Sequence, residues 1–158
     1  MAAFQTKNFE LMISRKFQVP TGKIEFFEWF SDFSHYPSLF PHVISIMPVS
    51  DKTGGKGEKI YEERAKNFLG KEENIKIRII EWIENKKIIV EATKPRMVSI
   101  FSFEFLDLDA NHSEWIWEMY VKKKSFLPAP IFRFLLKLLF QKRLNYADFQ
   151  LKNIFPKN

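Results

Sequence analysis

The strongest constraint on the fold is a run of short alternating segments between Ile44 and Lys122, each divided from the next by a turn-forming link. Strand periodicity falls on Ile44 to Val49, Glu58 to Lys66, Asn74 to Ile83, Lys87 to Thr93, Val98 to Leu108 and Glu114 to Lys122. The links GGKG, NFLG, ENK, KPR and DANH are of the kind that close hairpins, so the strands are expected to pair antiparallel with their sequence neighbours. In the last two, Phe101, Phe103 and Phe105 alternate with Ile100, Ser102 and Glu104, and Trp115, Trp117 and Met119 alternate with Ile116, Glu118 and Tyr120. Successive strand side chains point to opposite faces, which makes one face of the sheet strongly aromatic.

The flanking segments complete the pattern. FELMISRKFQV, Phe9 to Val19, reads as a first strand with Phe9, Leu11, Ile13, Arg15 and Phe17 on one face, ended by Pro20. A short helix is expected from Thr21 to Phe30, with Thr21 as N-cap and Ile24, Phe27 and Phe30 at helical spacing. Asp32 caps a second helical turn that Pro37 and Pro41 close. The chain ends in one helix from Pro130 to Ile154, about 37 Å long at ~1.5 Å per residue. Phe132, Leu136, Phe140, Leu144, Ala147, Leu151 and Ile154 form its core stripe. Its first half carries a second apolar set, Ile131, Phe134, Leu135, Leu138 and Leu139, wider than a sheet contact requires. That excess has to face a cavity, a partner or a membrane.

With 158 residues the chain is the size of a single domain, taken as 1–158, and 18 Phe are a large apolar content to pack or to line a cavity with. There is no cysteine, which removes disulfides, thiolate zinc and cysteine nucleophiles and fits a cytoplasmic chain. The segment MAAFQTKNFELMIS does not look like a signal peptide, and no apolar run reaches the roughly 20 residues of a membrane span. The net charge is +6. Between Met119 and Ala147 no residue is acidic, whereas Lys122, Lys123, Lys124, Arg133, Lys137, Lys142 and Arg143 are basic. Cations beside exposed apolar residues suit an anionic membrane surface, with peripheral attachment. The same cations also fit a solvated helix face. Nucleic acid is not expected, because the aromatics belong to the buried face.

Strand, two short helices, six antiparallel strands and a long C-terminal helix form an α+β chain. Within it the run from Pro20 to Val43, PTGKIEFFEWFSDFSHYPSLFPHV, resembles the START-like polyketide cyclase/dehydrase and lipid-transport superfamily (SRPBCC). The resemblance lies in Pro20, Phe26, Phe27, Phe30, Asp32, Tyr36, Pro37, Leu39 and Pro41, with Leu39 where many relatives carry Trp. It implies a helix-grip fold, a curved antiparallel sheet of about seven strands around the long helix. It also implies a cavity between them for a lipid, polyketide, quinone or sterol-like molecule.

Expected wall residues are Phe101, Phe103, Phe105, Trp115, Trp117 and Met119 on the sheet and Phe134, Leu135 and Leu138 on the helix, the last three as a gate. The same rings could equally fill a core. Polar candidates for orienting a ligand are Arg15, Arg64, Arg78, Glu81 and Glu104. His35 and His42 lack the spacing of a metal or catalytic pair and are expected on the surface, and Asp107, Asp109 and Asn111 imitate only the start of a calcium loop. No metal site, cofactor motif, nucleophile elbow or phosphate-binding loop is present in the sequence. The function that the resemblance implies is binding of a hydrophobic small molecule, as carrier or sensor. A cyclase or dehydratase, and a protein or membrane interaction module using the basic apolar helix, are the alternatives.

Overall fold

The computed structural model describes residues 8–49, 59–67, 69–95, 97–122 and 130–156, with side chains of the last helix described from Arg133 onward. The GGKG link and Lys123 and Lys124 lie outside these residues. Seven strands form one antiparallel sheet in the order β1-β7-β6-β5-β4-β3-β2, where β1 is Phe9–Val19, β2 Val43–Pro48, β3 Ile60–Lys66, β4 Glu72–Ile83, β5 Lys87–Lys94, β6 Met97–Asp107 and β7 Ser113–Lys122. After β1 come α1 (Lys23–Ser31), a single 3-10 turn (Phe33–His35) and α2 (Tyr36–Leu39), and the chain closes with α3 (Pro130–Ile154). The antiparallel pairing of sequential strands is as expected from the alternation and the link lengths, and the whole is the helix-grip arrangement that the resemblance implied.

The aromatic face is real. Phe101 pairs with Met119, Phe103 with Trp117 and Phe105 with Trp115 across β6 and β7, all toward the helices. Leu144, Ala147 and Leu151 of α3 are fully buried, and α3 packs on β1 and α2. At the end of the sheet beneath α1 the rings interlock: Phe30 lies 4.9 Å from Phe103 and 5.1 Å from Trp115, Phe27 lies 5.0 Å from Phe105, and Phe17 stacks on Trp115 at 4.9 Å. Edge and offset contacts of this kind add about 0.5–1.5 kcal/mol per pair to the area buried.

Three local expectations are corrected. In β1 the register slips between Leu11 and Ile13, so Met12 is the extra residue of a bulge. Met12 is buried, Leu11 is half exposed, and Glu10 stands opposite Val121 on the inner face, where Phe9 and Leu11 were expected. Thr21 does not cap α1: Gly22 occupies that position, and the Thr21 hydroxyl donates instead to the Glu25 carboxylate. Pro37 does not close the second turn but sits in the first turn of α2, where its missing N–H leaves no helical bond unmade. Asp32 behaves as expected, accepting from the Ser34 N–H at 3.0 Å.

The interlocked rings make a stability prediction. Phe30→Ala removes the ring at the centre of the cluster and is expected to cost about 3–5 kcal/mol in urea denaturation. Ile24→Ala, at a position 58% exposed on the same helix, is expected to change stability by less than about 0.5 kcal/mol.

Candidate functional site

The concave face is filled at the α1 end and hollow at the other. Where β3, β5 and β6 pass beneath the first half of α3, the inward residues are small: Ala65, Ala92 and Ser99, with Ala92 opposite Ser99. Side chains of this size cannot span the gap to the helix, and a cavity of about 250 Å³ remains. Its apolar wall comes from Ile75 and Ile77 of β4, Val90 of β5, Phe101 and Phe103 of β6, Trp117 and Met119 of β7, and Leu136, Leu139 and Phe140 of α3. Phe33, Tyr36, Phe40 and His42 of the helical corner close one side.

Polar groups gather along part of this wall. The corner turns through Pro41 and His42, with the Val43 N–H donating to the Phe40 carbonyl at 2.9 Å and the Lys66 N–H to the His42 carbonyl at 2.7 Å. This holds the His42 ring against the cavity. Burial, reinforced by the charges of Arg143 and Lys94, lowers its pKa from 6.5 to about 3, so the ring is neutral. Glu63 on β3 is buried, and desolvation raises its carboxyl from 4.5 to about 7 despite the opposing pull of Lys94 and Arg143. The Tyr36 phenol is pushed well above its usual range, first by burial and then by Glu63. Lys94 donates to Glu73, and both line the cavity. The Ser99 Oγ and His42 Nδ1 are buried with no hydrogen-bond partner among the described residues.

The residues singled out by the sequence fall into three places. Phe101, Phe103, Trp117 and Met119 line the cavity. Phe105 and Trp115 lie in the ring-filled end, in contact with Phe26, Phe27 and Phe30. Phe134, Leu135 and Leu138 are 62%, 55% and 46% exposed and face away from the cavity, which α3 reaches through Leu136, Leu139, Phe140 and Arg143. None of the five polar candidates is part of the lining. Arg15 bonds Asn145 of α3, Arg64 pairs with Glu72 at 3.2 Å, Arg78 with Glu91 at 3.1 Å and Glu104 with Lys87 at 3.1 Å. Glu81, opposite Ile89, stands on the outer face of the sheet.

Of the basic residues, Lys122, Lys137 and Lys142 are exposed, Arg133 pairs with Glu10 at 3.1 Å, and Arg143 turns into the cavity. His35 stacks on Trp29 at 4.9 Å, whereas His42, expected on the surface, is a wall residue. Asp109 accepts from the Asn111 N–H at 2.8 Å within the β6-β7 hairpin loop. The sequence did not single out Glu63, Arg143 or Ser99 for the site. The available signal was the set of small residues in inward register, flanked by a carboxylate two positions from Ala65.

No family model matches the chain, and no curated protein matches it. Solved structures do. A START superfamily protein from Mycobacterium smegmatis superposes with a TM-score of 0.71 at 14% identity, covering 92% of this chain and 99% of that one. The Zhui aromatase/cyclase from a Streptomyces species gives 0.70 at 12% identity over 91% and 94% of the two chains. Ara h 8.0201 gives 0.64 at 16% identity over 92% and 99%. At these identities the likeness is one of fold, and the chain has the START-like helix-grip fold.

The two buried titrating groups act on stability in opposite directions. Glu63 holds its proton to higher pH in the folded chain, so its contribution is complete below 4.5 and is lost as pH rises through about 7. His42 is depressed, so its contribution is complete above 6.5 and is lost as pH falls toward about 3. From 4.5 to 6.5 the two slopes cancel. Glu63→Gln is therefore expected to gain stability relative to the parent as pH rises from 4.5 to about 7, by on the order of 3 kcal/mol in urea denaturation.

Proposed function

We propose that the chain, as a single START-like domain over residues 1–158, binds a hydrophobic small molecule between the sheet and α3 and acts as a carrier or sensor. The observation that carries this reading is the cavity of about 250 Å³ with an apolar wall and a localised set of polar groups. A cavity of roughly 150 Å³ accepts benzene. On that scale the occupant has about ten heavy atoms, one or two rings or a short acyl chain, rather than a whole sterol. Native mass spectrometry before and after organic extraction is expected to find a co-purifying molecule of this size. A protein that is consistently empty and takes up no apolar probe defeats the reading.

Loading at an anionic membrane fits the first half of α3. Phe134, Leu135 and Leu138 are exposed beside Lys137 and Lys142, which joins insertable apolar groups to cations, and anionic lipid is concentrated on the cytoplasmic leaflet. No helix of the described residues is long and apolar enough to cross a membrane. Co-sedimentation with liposomes is expected to rise with phosphatidylserine content, weaken with salt and fall severalfold in Phe134→Ser.

A second reading, a cyclase or dehydratase, is favoured by Glu63 alone. A carboxyl poised near 7 beside a cavity is matched to proton transfer. In that case Glu63→Gln abolishes turnover while the probe still binds. Unchanged turnover removes Glu63 from the chemistry.

A further inference from the structure

Arg143 is a lining residue, less exposed than Lys66, whose positive charge no ion pair among the described residues meets. Its guanidinium overlies the Phe140 ring at 5.4 Å, and no carboxylate of the described residues forms an ion pair with it. Burial pulls its pKa down and the charges of Glu63, Glu73 and Tyr36 act the other way, so a guanidinium that has lost much of its water gains little in exchange. The titratable and hydroxyl groups that line the cavity with it include Tyr36 and His42 from the corner, Glu63 from β3, Glu73 from β4, Lys94 from β5 and Ser99 from β6, whereas β2 and β7 line it with Ile46, Trp117 and Met119. Lys94 and Glu73 neutralise one another, His42 is neutral, and the Glu63 carboxyl keeps its proton up to about 7. Lys66, at the end of β3, also reaches the lining. Below about pH 7 this wall therefore presents uncompensated positive charge and three polar atoms unpartnered among the described residues, Ser99 Oγ, His42 Nδ1 and Trp117 Nε1, to an apolar space.

We propose that the occupant is a small amphipathic carboxylate whose anionic head is held by Arg143 and whose apolar body lies against Phe101, Trp117, Met119 and Leu139. A guanidinium offers a planar fork that matches a carboxylate, and the match is worth more away from water. A monoanion is favoured over a dianion because Glu73, and Glu63 once ionised, repel additional negative charge. The inference rests on the binding reading above and specifies its ligand class.

The test compares naphthoate with its neutral counterpart naphthamide by tryptophan fluorescence titration of the full chain, freed of co-purifying molecules on a hydrophobic resin. The parent is expected to prefer naphthoate by about tenfold, equivalent to ~1.4 kcal/mol. The preference is expected to vanish in Arg143→Gln and to persist in Arg143→Lys, each read as a ratio within one variant so that a change in stability cancels. Equal binding of the two probes by the parent, or a preference that survives in Arg143→Gln, overturns the carboxylate assignment and leaves the cavity reading standing. Binding of neither probe overturns both.

Discussion

One helix cannot cover the whole concave face of a seven-stranded sheet, and the way the remainder is closed decides everything else about this molecule. At one end α1 supplies Phe26, Phe27 and Phe30, which lock into Phe105 and Trp115 with centroid separations of 5.0 to 5.7 Å, while Phe17 stacks on Trp115 at 4.9 Å. That end is solid and fixes the curvature. At the other end the inward positions of β3, β5 and β6 hold Ala65, Ala92 and Ser99, which line the cavity together with Leu136, Leu139, Phe140 and Arg143 of α3. Close packing is the rule in protein interiors. The hollow exists because the aromatic end supplies the burial that this end forgoes.

The polar groups belong to the same division. Put into the ring-filled end, Glu63, His42 and Arg143 would be buried without space for a ligand or solvent to satisfy them. On the cavity wall they keep polar atoms available, and the apolar surroundings strengthen any interaction they make. Glu63 and His42 carry opposite shifts, raised to about 7 and lowered to about 3, so both are neutral in mildly acidic conditions and the wall there owes its net charge to Arg143 and Lys66, the Lys94-Glu73 pair cancelling internally.

The antiparallel pairing of sequential strands, the shared aromatic face of β6 and β7 and the bounds of α3 were legible from period and link length, whereas the place of β1 beside β7 and the register between β6 and β7 were not. Period and link length are local signals that repeat along the chain. The bulge at Met12 was not legible either, because one inserted residue changes no composition yet reverses the face of everything before it. The same effect at Ile80 puts Glu81 outward, as the pairing jumps from Ile79 to Glu81. The cavity was half legible. The rings that could line it were visible, but which of them line and which fill depends on where α1 sits along β6 and β7, a relation between distant segments. Strand charges such as Arg64 and Glu104 looked equivalent to Glu63 in sequence, and only the register separates an outward ion pair from a buried carboxyl.

The anchoring of α3 is asymmetric. Leu144, Ala147 and Leu151 are fully buried, and Phe155 just beyond them meets Phe26 at 5.9 Å and Trp29 at 5.5 Å, so the last three turns are set into the ring-filled end. The first turns are held by the Arg133-Glu10 ion pair and by Leu136, Leu139 and Phe140 over the hollow. The helix is thus a cantilever, clamped at its C-terminal end and lightly propped at the other. A displacement of the first described turns would therefore alter the hollow before it disturbed the packed end.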